Sequence, residues 1–240
     1  MREALRAVDV TVRFGGLVAL DGVEVVLREG EILGLIGPNG AGKSTLFNAL
    51  TGYVPLERGR VLFFGQDVTH LPAHARARMG MGRTFQIERP FAELTVLENV
   101  LIPAFLHTQD RHKAEQVARA LLDRVELGDR ALQPAGDLNL ARRRRLELAR
   151  ALAVRPRVLF CDEVMAGLTP PAQQEMVTLL RGLSADGIAI VVVEHIMRVI
   201  MQLSDHVVVL AAGQKIAEGR PQEVAEDPRV IEAYLGAAVA

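Results

Sequence analysis

The stretch Gly37-Pro38-Asn39-Gly40-Ala41-Gly42-Lys43-Ser44 constrains the fold of this chain more than any other segment. It fits the pattern G-x-x-x-x-G-K-[ST], between an apolar run at 32–36 and residues at helical spacing. Glycines in such a loop let successive backbone N–H groups converge on phosphate oxygens, and the following helix adds the positive end of its dipole. We therefore predict a phosphate-binding loop in which Lys43 pairs with the β- and γ-phosphates and Ser44 ligates Mg²⁺. The alternative, a glycine-rich turn with a coincidental lysine, does not explain the flanking elements.

The length and composition fit one compact globular unit with room for an inserted lobe. The chain has 240 residues, half of them hydrophobic and 24% charged, which excludes a disordered or fibrous protein. Lys and Arg total 28 against 29 Asp and Glu, aromatic residues make up only 4%, and Trp is absent. A nucleic acid partner is therefore not expected, because the chain offers neither an overall positive field nor an aromatic stacking platform.

Targeting features point to the cytoplasm. The longest apolar runs, such as Ile188–Val193, are far shorter than the ~20 residues of a membrane-spanning helix. Residues 1–20 lack the charged start and apolar stretch of a signal peptide. The single cysteine, Cys161, cannot form an internal disulfide, which fits a reducing compartment.

Hydrophobic periodicity predicts alternating strands and helices. Apolar residues at 8, 10, 12 and 14 alternate with polar ones, as in a half-buried strand, and 61–64 indicates another strand. From about 72 to 153 the pattern is mostly helical, with Thr95 and Glu98 spaced as a capping box. Buried strands are predicted at 158–161, 188–193 and 207–210, with a helix at 171–183 between the first two. This order indicates a parallel sheet covered on both faces, with the helical stretch as an insertion.

Asp162 and Glu163 follow the apolar strand at 158–161 and provide the carboxylates that a phosphate loop lacks. The carboxyl ends of strands form the edge at which open α/β sheets bind ligands. We predict that Asp162 holds Mg²⁺ through its water shell and that Glu163 polarises the attacking water. The alternative, an acidic helix cap, is less favoured next to a phosphate loop.

With these two motifs in place, the chain resembles the nucleotide-binding subunits of ABC transporters, essentially from end to end. The resemblance implies a single ABC ATP-binding domain over 1–240. Its P-loop NTPase (RecA-like) core would cover 1–84 and 154–240, with a mostly parallel sheet and N-terminal antiparallel β strands. An inserted helical subdomain would occupy 85–153.

The resemblance also assigns roles to single residues. Loop residues 37–45, including Thr45, would bind the nucleotide phosphates. Phe14 would stack on adenine, although as the end of a strand it is equally a candidate for the core. Gln86 would reach Mg²⁺ and the water, and His195 would contact the γ-phosphate. An imidazole at the end of a buried strand can reach a phosphate oxygen, with an ordinary partly buried histidine as the alternative.

One motif departs from the family. Where the family signature reads LSGGQ, this chain reads Leu138-Asn139-Leu140-Ala141-Arg142. The resemblance implies that ATP bound to a second subunit would be faced by Asn139, Ala141 and Arg142. The methyl group of Ala141 hinders close backbone approach, while Arg142 adds positive charge toward an anion. For the arginine run at 142–145 a solvated helix face is the other interpretation. We expect normal ATP binding but slower hydrolysis than a serine and glycine signature would support.

The resemblance implies an Mg-dependent ATPase that works in pairs. Two subunits, identical or different, would dock head to tail with ATP between them and move membrane permease subunits from the inner face of the membrane. The segments 82–86, 91–100, 193–195 and 230–236 look like the ATPases of branched-chain amino acid importers, which also use a periplasmic or surface substrate-binding protein. Residues 71–78 look like the lipopolysaccharide-export ATPase, which leaves that cargo as an alternative.

Three other functions compete with a transporter ATPase. A soluble ABC-type ATPase of DNA repair or translation usually carries a second ATPase unit or a long coiled coil, which 240 residues cannot hold. A P-loop kinase needs an arginine-rich lid, and the only candidate, the run at 142–145, precedes a predicted core helix. A regulatory subunit without turnover would fit the altered signature, but Glu163 favours hydrolysis.

Overall fold

A computed structural model describes residues 2–84 and 90–236. The chain begins with an antiparallel sheet, in which β1 (Glu3–Phe14) pairs with β2 (Leu17–Arg28) across a glycine turn. Two later strands, β4 (Arg58–Phe63) and β5 (Gln66–Asp67), complete the order β2-β1-β4-β5. The alternating pattern at the start of the chain thus predicted its first strand correctly.

The second sheet carries the predicted buried strands. Its members are β3 (Ile32–Ile36), β6 (Met81–Arg83), β7 (Val158–Asp162), β8 (Ala189–Val193), β9 (His206–Ala211) and β10 (Gln214–Gly219), in the order β10-β9-β3-β8-β7-β6. Neighbours from β9 to β6 run parallel, and β10 is antiparallel to β9. The predicted α/β class, with a mostly parallel sheet and separate N-terminal antiparallel strands, is confirmed.

Helices connect and cover these strands. They are α1 (Lys43–Leu50), α2 (Ala73–Arg78), α3 (Val96–Ala104), α4 (Arg111–Arg124), α5 (Leu140–Ala153), α6 (Pro170–Ala185), α7 (Met197–Leu203), α8 (Pro221–Ala225) and α9 (Pro228–Gly236). The predicted capping box begins α3, because Glu98 N donates to Thr95 Oγ1 at 3.1 Å and Thr95 N donates to Glu98 Oε2 at 2.8 Å. Among the helices of 2–84 and 90–236, none combines the length and the apolar composition that a membrane span requires.

Alternate residues of each buried strand face two different hydrophobic clusters. In β7, Val158 and Phe160 pack with α1 and the antiparallel sheet, while Leu159 and Cys161 pack with the helices α3 to α6. The sheet is therefore covered on both faces, as its continuous apolar strands predict. This arrangement leaves the carboxyl-terminal edge of the strands as the place where polar loops gather.

Arg76 of α2 is buried, although it belongs to a charged surface-like segment. Its guanidinium donates to the carbonyls of Ala49 and Leu50 at 2.9 and 2.6 Å, and so satisfies the C-terminal end of α1. Burial lowers the pKa of Arg76 to about 10. The segment 71–78 thus fixes the helix that follows the phosphate loop.

Candidate nucleotide-binding site

The loop from 37 to 45 follows β3 and runs into the first turn of α1, as its sequence pattern predicts. Lys43, the first residue of α1, is buried, and its Nζ donates to the carbonyls of Gly37 at 2.7 Å and Pro38 at 2.9 Å. Burial lowers the pKa of Lys43, and the nearby Glu163 carboxylate opposes that shift. The ammonium group therefore has oxygen partners within the loop that phosphate oxygens can replace.

Gly37 begins the loop in a position that only glycine fits. A Cβ atom here would lie 2.1 Å from the carbonyl oxygen of Leu210 at the end of β9. Its backbone φ of 147° is also rare for residues with a side chain. The start of the loop is therefore wedged against the neighbouring strand.

A cleft of about 520 Å³ opens beside the loop. The residues around it come from the end of β1, the start of β2, the loop, the β9–β10 turn and the ends of β7 and β8: Phe14, Leu17, Val18, Ala19, Asn39, Gly40, Ala41, Gly42, Lys43, Ser44, Thr45, Glu163, His195, Ala212 and Gly213. Gly37 and Pro38 stand behind it and contribute carbonyls to Lys43. The cleft thus has a phosphate-loop floor, an acidic and imidazole side, and an apolar mouth.

Phe14 lies at the mouth of the cleft with half of its side chain, 51%, exposed. The alternative in which Phe14 belongs to the core is therefore wrong. Its exposure follows from its position as the last residue of β1, where it pairs with Leu17 beside the turn into β2. An exposed aromatic ring at the open end of a polar cleft is available to stack on a flat ligand.

Asp162 ends β7 in a buried position. Its backbone N donates to Thr84 Oγ1 at 3.2 Å, which ties the strand end to the segment after β6. Burial raises the pKa of Asp162, whereas the Arg83 guanidinium, 3.9 Å from its carboxylate, opposes that shift. Burial removes water from the carboxylate and disfavours its charged form, and a bound cation would offset that cost.

Glu163 and His195 meet at the edge of the sheet. The residue Glu163 has a left-handed φ of 49°, and its N donates to the carbonyl of Val193 at 2.9 Å. His195 Nε2 lies 2.6 Å from Glu163 Oε1, and both residues line the cleft. The structure therefore brings together two groups that the sequence placed 32 residues apart.

Glu194 was missed by the sequence interpretation. It is 2% exposed, and its carboxylate accepts a hydrogen bond from Met165 N at 2.9 Å. Burial is the main cause that raises its pKa to about 7, with the Glu163 carboxylate adding to the effect. Its position between a buried strand and His195 was the available signal. Glu194 fixes the backbone that follows Glu163.

The segment 138–142 forms the start of α5. Asn139 is the cap residue, and its Oδ1 accepts a hydrogen bond from Arg142 N at 3.0 Å. Ala141 and Arg142 are partly exposed in the first turn of the helix. None of the described residues around the cleft belongs to this segment. Within one chain, 138–142 therefore lies apart from the phosphate loop.

The arginine run at 142–145 is not a uniformly solvated face. Arg144 and Arg145 are buried. Arg145 forms ion pairs of 2.8 Å with Glu126, after α4, and with Glu175 of α6. The solvated interpretation is wrong for these two arginines, because helical spacing turns them toward the packed side of α5.

The structure places two of the three predicted magnesium ligands. Ser44 lines the cleft, and Asp162 ends β7 directly before the cleft residue Glu163, whereas Gln86 lies outside the described residues. Within 2–84 and 90–236, no group of three or more His, Cys, Asp and Glu side chains could hold a metal by itself. A hydroxyl and a carboxylate are oxygen donors of the type Mg²⁺ prefers, and phosphate oxygens would supply the remaining ligands.

Comparison with known proteins identifies the class. The ABC transporter family model matches residues 20–166, and a branched-chain amino acid ATP-binding cassette transporter model matches residues 214–240. This chain belongs to the ABC transporter family of ATP-binding cassettes.

Individual relatives match over almost the whole chain. The high-affinity branched-chain amino acid transport ATP-binding protein BraF of Pseudomonas aeruginosa is 38% identical over 99% of both chains. LivG of Escherichia coli K12, which has the same descriptive name, is 38% identical over 99% of this chain and 100% of its own.

Solved structures agree with the fold. An ATP-binding cassette of an ABC transporter in its ADP conformation has a TM-score of 0.91 and 33% identity, and covers 98% of this chain and 100% of its own. A dimeric cassette in a post-hydrolysis state, bound to ADP and Pi, has a TM-score of 0.81 and 25% identity over 90% of this chain and 98% of its own.

Proposed function

We propose that this chain is the Mg-dependent ATP-hydrolysing subunit of an importer of branched-chain amino acids. The observation that carries the proposal is the single cleft in which the phosphate loop, Glu163 and His195 meet, beside Asp162. The near full-length similarity to BraF and LivG supports the cargo class. It favours amino acid import over lipopolysaccharide export, and Arg76 gives the segment 71–78 a structural role.

Nucleotide binding begins at the loop. Backbone N–H groups of the loop would donate to the triphosphate, and Lys43 would exchange the carbonyls of Gly37 and Pro38 for phosphate oxygens. The exchange is favourable because a charged phosphate is a stronger partner for an ammonium group than a carbonyl is. Phe14 stacks on the adenine ring at the mouth of the cleft.

Hydrolysis needs a metal and a base. Ser44 and Asp162 would hold Mg²⁺, with Gln86 as a further ligand by resemblance, and the ion would supply positive charge that offsets the charge on the phosphates. Glu163 accepts the proton of the attacking water. His195 holds the Glu163 carboxylate in place and reaches the γ-phosphate. Burial disfavours the charged forms of Lys43 and Asp162, so a phosphate beside Lys43 and a cation beside Asp162 would each offset that cost.

A second cassette completes the site. The cleft is open on its solvent side, and Asn139, Ala141 and Arg142 lie at a separate surface of the same chain. Head-to-tail pairing would bring these three residues of one chain to the nucleotide of the other. The dimeric cassette with ADP and Pi supports the pairing of two cassettes.

A surface on the helical insertion suits the permease. Phe91, Ile102, Phe105 and Leu106 are all at least 40% exposed around α3. Asn99, buried in α3, positions Phe91 by accepting from its N at 2.9 Å and donating to its carbonyl at 3.1 Å. Exposed apolar side chains on a fixed backbone are typical of a protein contact. We propose that a helical segment of a membrane subunit docks here.

The test is reconstitution with the membrane proteins and binding protein encoded beside this chain. In proteoliposomes that enclose ATP and Mg²⁺, uptake of radioactive leucine, isoleucine or valine should exceed uptake of lysine by more than about tenfold. Chelation of Mg²⁺ should abolish both uptake and phosphate release. Phosphate release without uptake of any of the three amino acids would refute the cargo but not the ATPase. Failure of the purified chain to bind ATP would refute both.

A further inference from the structure

The last helix of the described structure reaches the phosphate loop. Tyr234 lies in α9, and its hydroxyl oxygen accepts a hydrogen bond of 2.9 Å from the backbone N of Gly37, 197 residues earlier in the chain. The ring of Tyr234 packs against the cluster formed by Ile36, Ile200, Val207, Val209, Ala217, Val224 and Val230. Burial raises the pKa of Tyr234, while the hydrogen bond opposes that shift. The phenol is therefore fixed from both ends, by its ring and by its oxygen.

Gly37 is the residue that links this contact to the nucleotide. Its N–H donates to Tyr234, and its carbonyl accepts from Lys43 Nζ at 2.7 Å. The two bonds use the amide and the carbonyl of one residue, and the Leu210 carbonyl of β9 leaves no room for a Cβ atom there. Gly37 is thus set by α9, by β9 and by Lys43 together.

The bond to Tyr234 matters most when ATP is bound. In the proposed function Lys43 then leaves the Gly37 carbonyl for the phosphates, so this residue loses one of its fixed partners. The N–H bond to Tyr234 remains and holds the beginning of the loop in the shape that presents the next amides. A loop that is fixed before binding loses less conformational entropy when the ligand arrives.

We propose that Tyr234 is a positioning residue for the phosphate-binding loop, and that α9 is in this way part of the nucleotide site. The inference rests on the proposed role of 37–45 in phosphate binding. It gives a function to the segment 230–236, which the phosphate chemistry itself does not use. Because coupling between two sites is reciprocal, ATP should in turn stabilise α9.

The test compares Tyr234→Phe with Ile231→Ala. The first variant keeps the ring and removes the hydroxyl group that Gly37 N–H needs. The second is a matched control in the same helix, since Ile231 is 46% exposed and its removal leaves the Tyr234 hydroxyl in place. Binding of a fluorescent ATP analogue with Mg²⁺, steady-state turnover and thermal unfolding are measured for both variants and for the wild type.

We expect Tyr234→Phe to raise the Kd for the nucleotide and the KM for ATP by about fivefold, the effect of one ordinary hydrogen bond. The kcat should stay within about twofold, because Glu163 and His195 are not in contact with Tyr234 in the described structure. Ile231→Ala should match the wild type in Kd. A purely structural role for Tyr234 would lower the Tm without this separation of KM from kcat.

A second measurement needs no variant. In the wild type, ATP with Mg²⁺ should slow amide hydrogen exchange at 228–236 as well as at 37–45. The inference is overturned if Tyr234→Phe leaves the Kd unchanged, if Ile231→Ala raises it equally, or if exchange at 228–236 does not respond to ATP. A wild-type chain that binds no ATP would overturn the proposed phosphate site as well, so the two failures are distinguishable.

Discussion

The loop at 37–45 and the segment at 138–142 are both proposed to contact ATP, yet they are built differently. The loop is confined by its neighbours, with Gly37 against β9 and Tyr234, and most of its residues line a cleft within the chain. The segment is the ordinary start of a helix, closed by the Asn139 side chain on its exposed surface. The comparison teaches that the surroundings of the loop come from its own chain, whereas the segment would act on the nucleotide of a second chain in the proposed pairing.

The largest effect on turnover should come from Glu163→Gln, which tests the cleft that one chain forms by itself. An amide cannot take the proton of the attacking water, so turnover should fall by about 10³-fold. Gln keeps the size of the side chain and can still bond His195, so the affinity for ATP should stay within about twofold. Phosphate release and nucleotide binding are measured side by side. Turnover above a tenth of the wild-type rate would show that another group is the base.

A pair of glycine variants tests how tightly the loop is confined. Gly37→Ala forces a Cβ atom into Leu210, so ATP affinity should fall by about 100-fold. At Gly40 the Cβ direction is open, and only its left-handed φ of 76° opposes a side chain. Gly40→Ala should therefore lower the affinity for ATP by about tenfold or less. Isothermal titration with ATP and Mg²⁺ measures both, and equal losses would contradict the confinement of Gly37.

Glu194→Gln tests the acidic side of the cleft through pH. The folded-state pKa of Glu194, about 7, lies above its ordinary value of 4.5, so the folded chain holds an extra proton between these values. Stability of the wild type relative to Glu194→Gln should therefore fall as pH rises from 4.5 to 7, by about 3 kcal/mol. Gln keeps the acceptor for Met165 N. Urea unfolding of both proteins at pH 5 and pH 8 provides the measurement, and a pH-independent difference would contradict the buried acid.

The smallest effect is expected in the segment at 138–142. Asn139→Ser combined with Ala141→Gly keeps a capping side chain and removes the methyl group, so the paired cassette should hydrolyse ATP about threefold faster. ATP affinity of the isolated chain should not change, because the segment lies away from its own cleft. Steady-state phosphate release at several protein concentrations is the assay. An unchanged rate would refute the expectation that the altered signature slows hydrolysis.

Local patterns predicted much of this molecule. The phosphate loop, the buried strands and the capping box of α3 follow from glycine spacing and short periodicities, which are properties of neighbouring residues. The strands β2, β6 and β10 were not predicted. β2 is interrupted by Asp21 and Gly22, and β10 is largely polar, so neither has a clear strand pattern although each pairs with the strand just before it. β6 has only three residues, and its partner β7 lies far along the chain. The same limit applies to Tyr234, since nothing near it in the sequence indicates Gly37.

Charged residues show the second limit. The run at 142–145 has the composition of a solvated surface, but Arg144 and Arg145 are buried. Arg145 pairs with Glu126 and Glu175 and donates to the carbonyl of Val125, and local spacing does not reveal such partners from other elements. In contrast, Asp162 and Glu163 could be placed at the sheet edge, because a strand fixes where its own end lies.

The position of Cys161 has a practical consequence for measuring how two cassettes approach each other. It is the sole cysteine of the sequence, its side chain is fully buried in β7, and its thiol pKa is raised above the usual range by burial. Alkylating reagents react with thiolates, so thiol-reactive labels should not modify Cys161 in the folded protein. Single cysteines introduced at exposed sites could carry spin or fluorescent probes without first removing the native one, and distances between protomers could be followed during turnover.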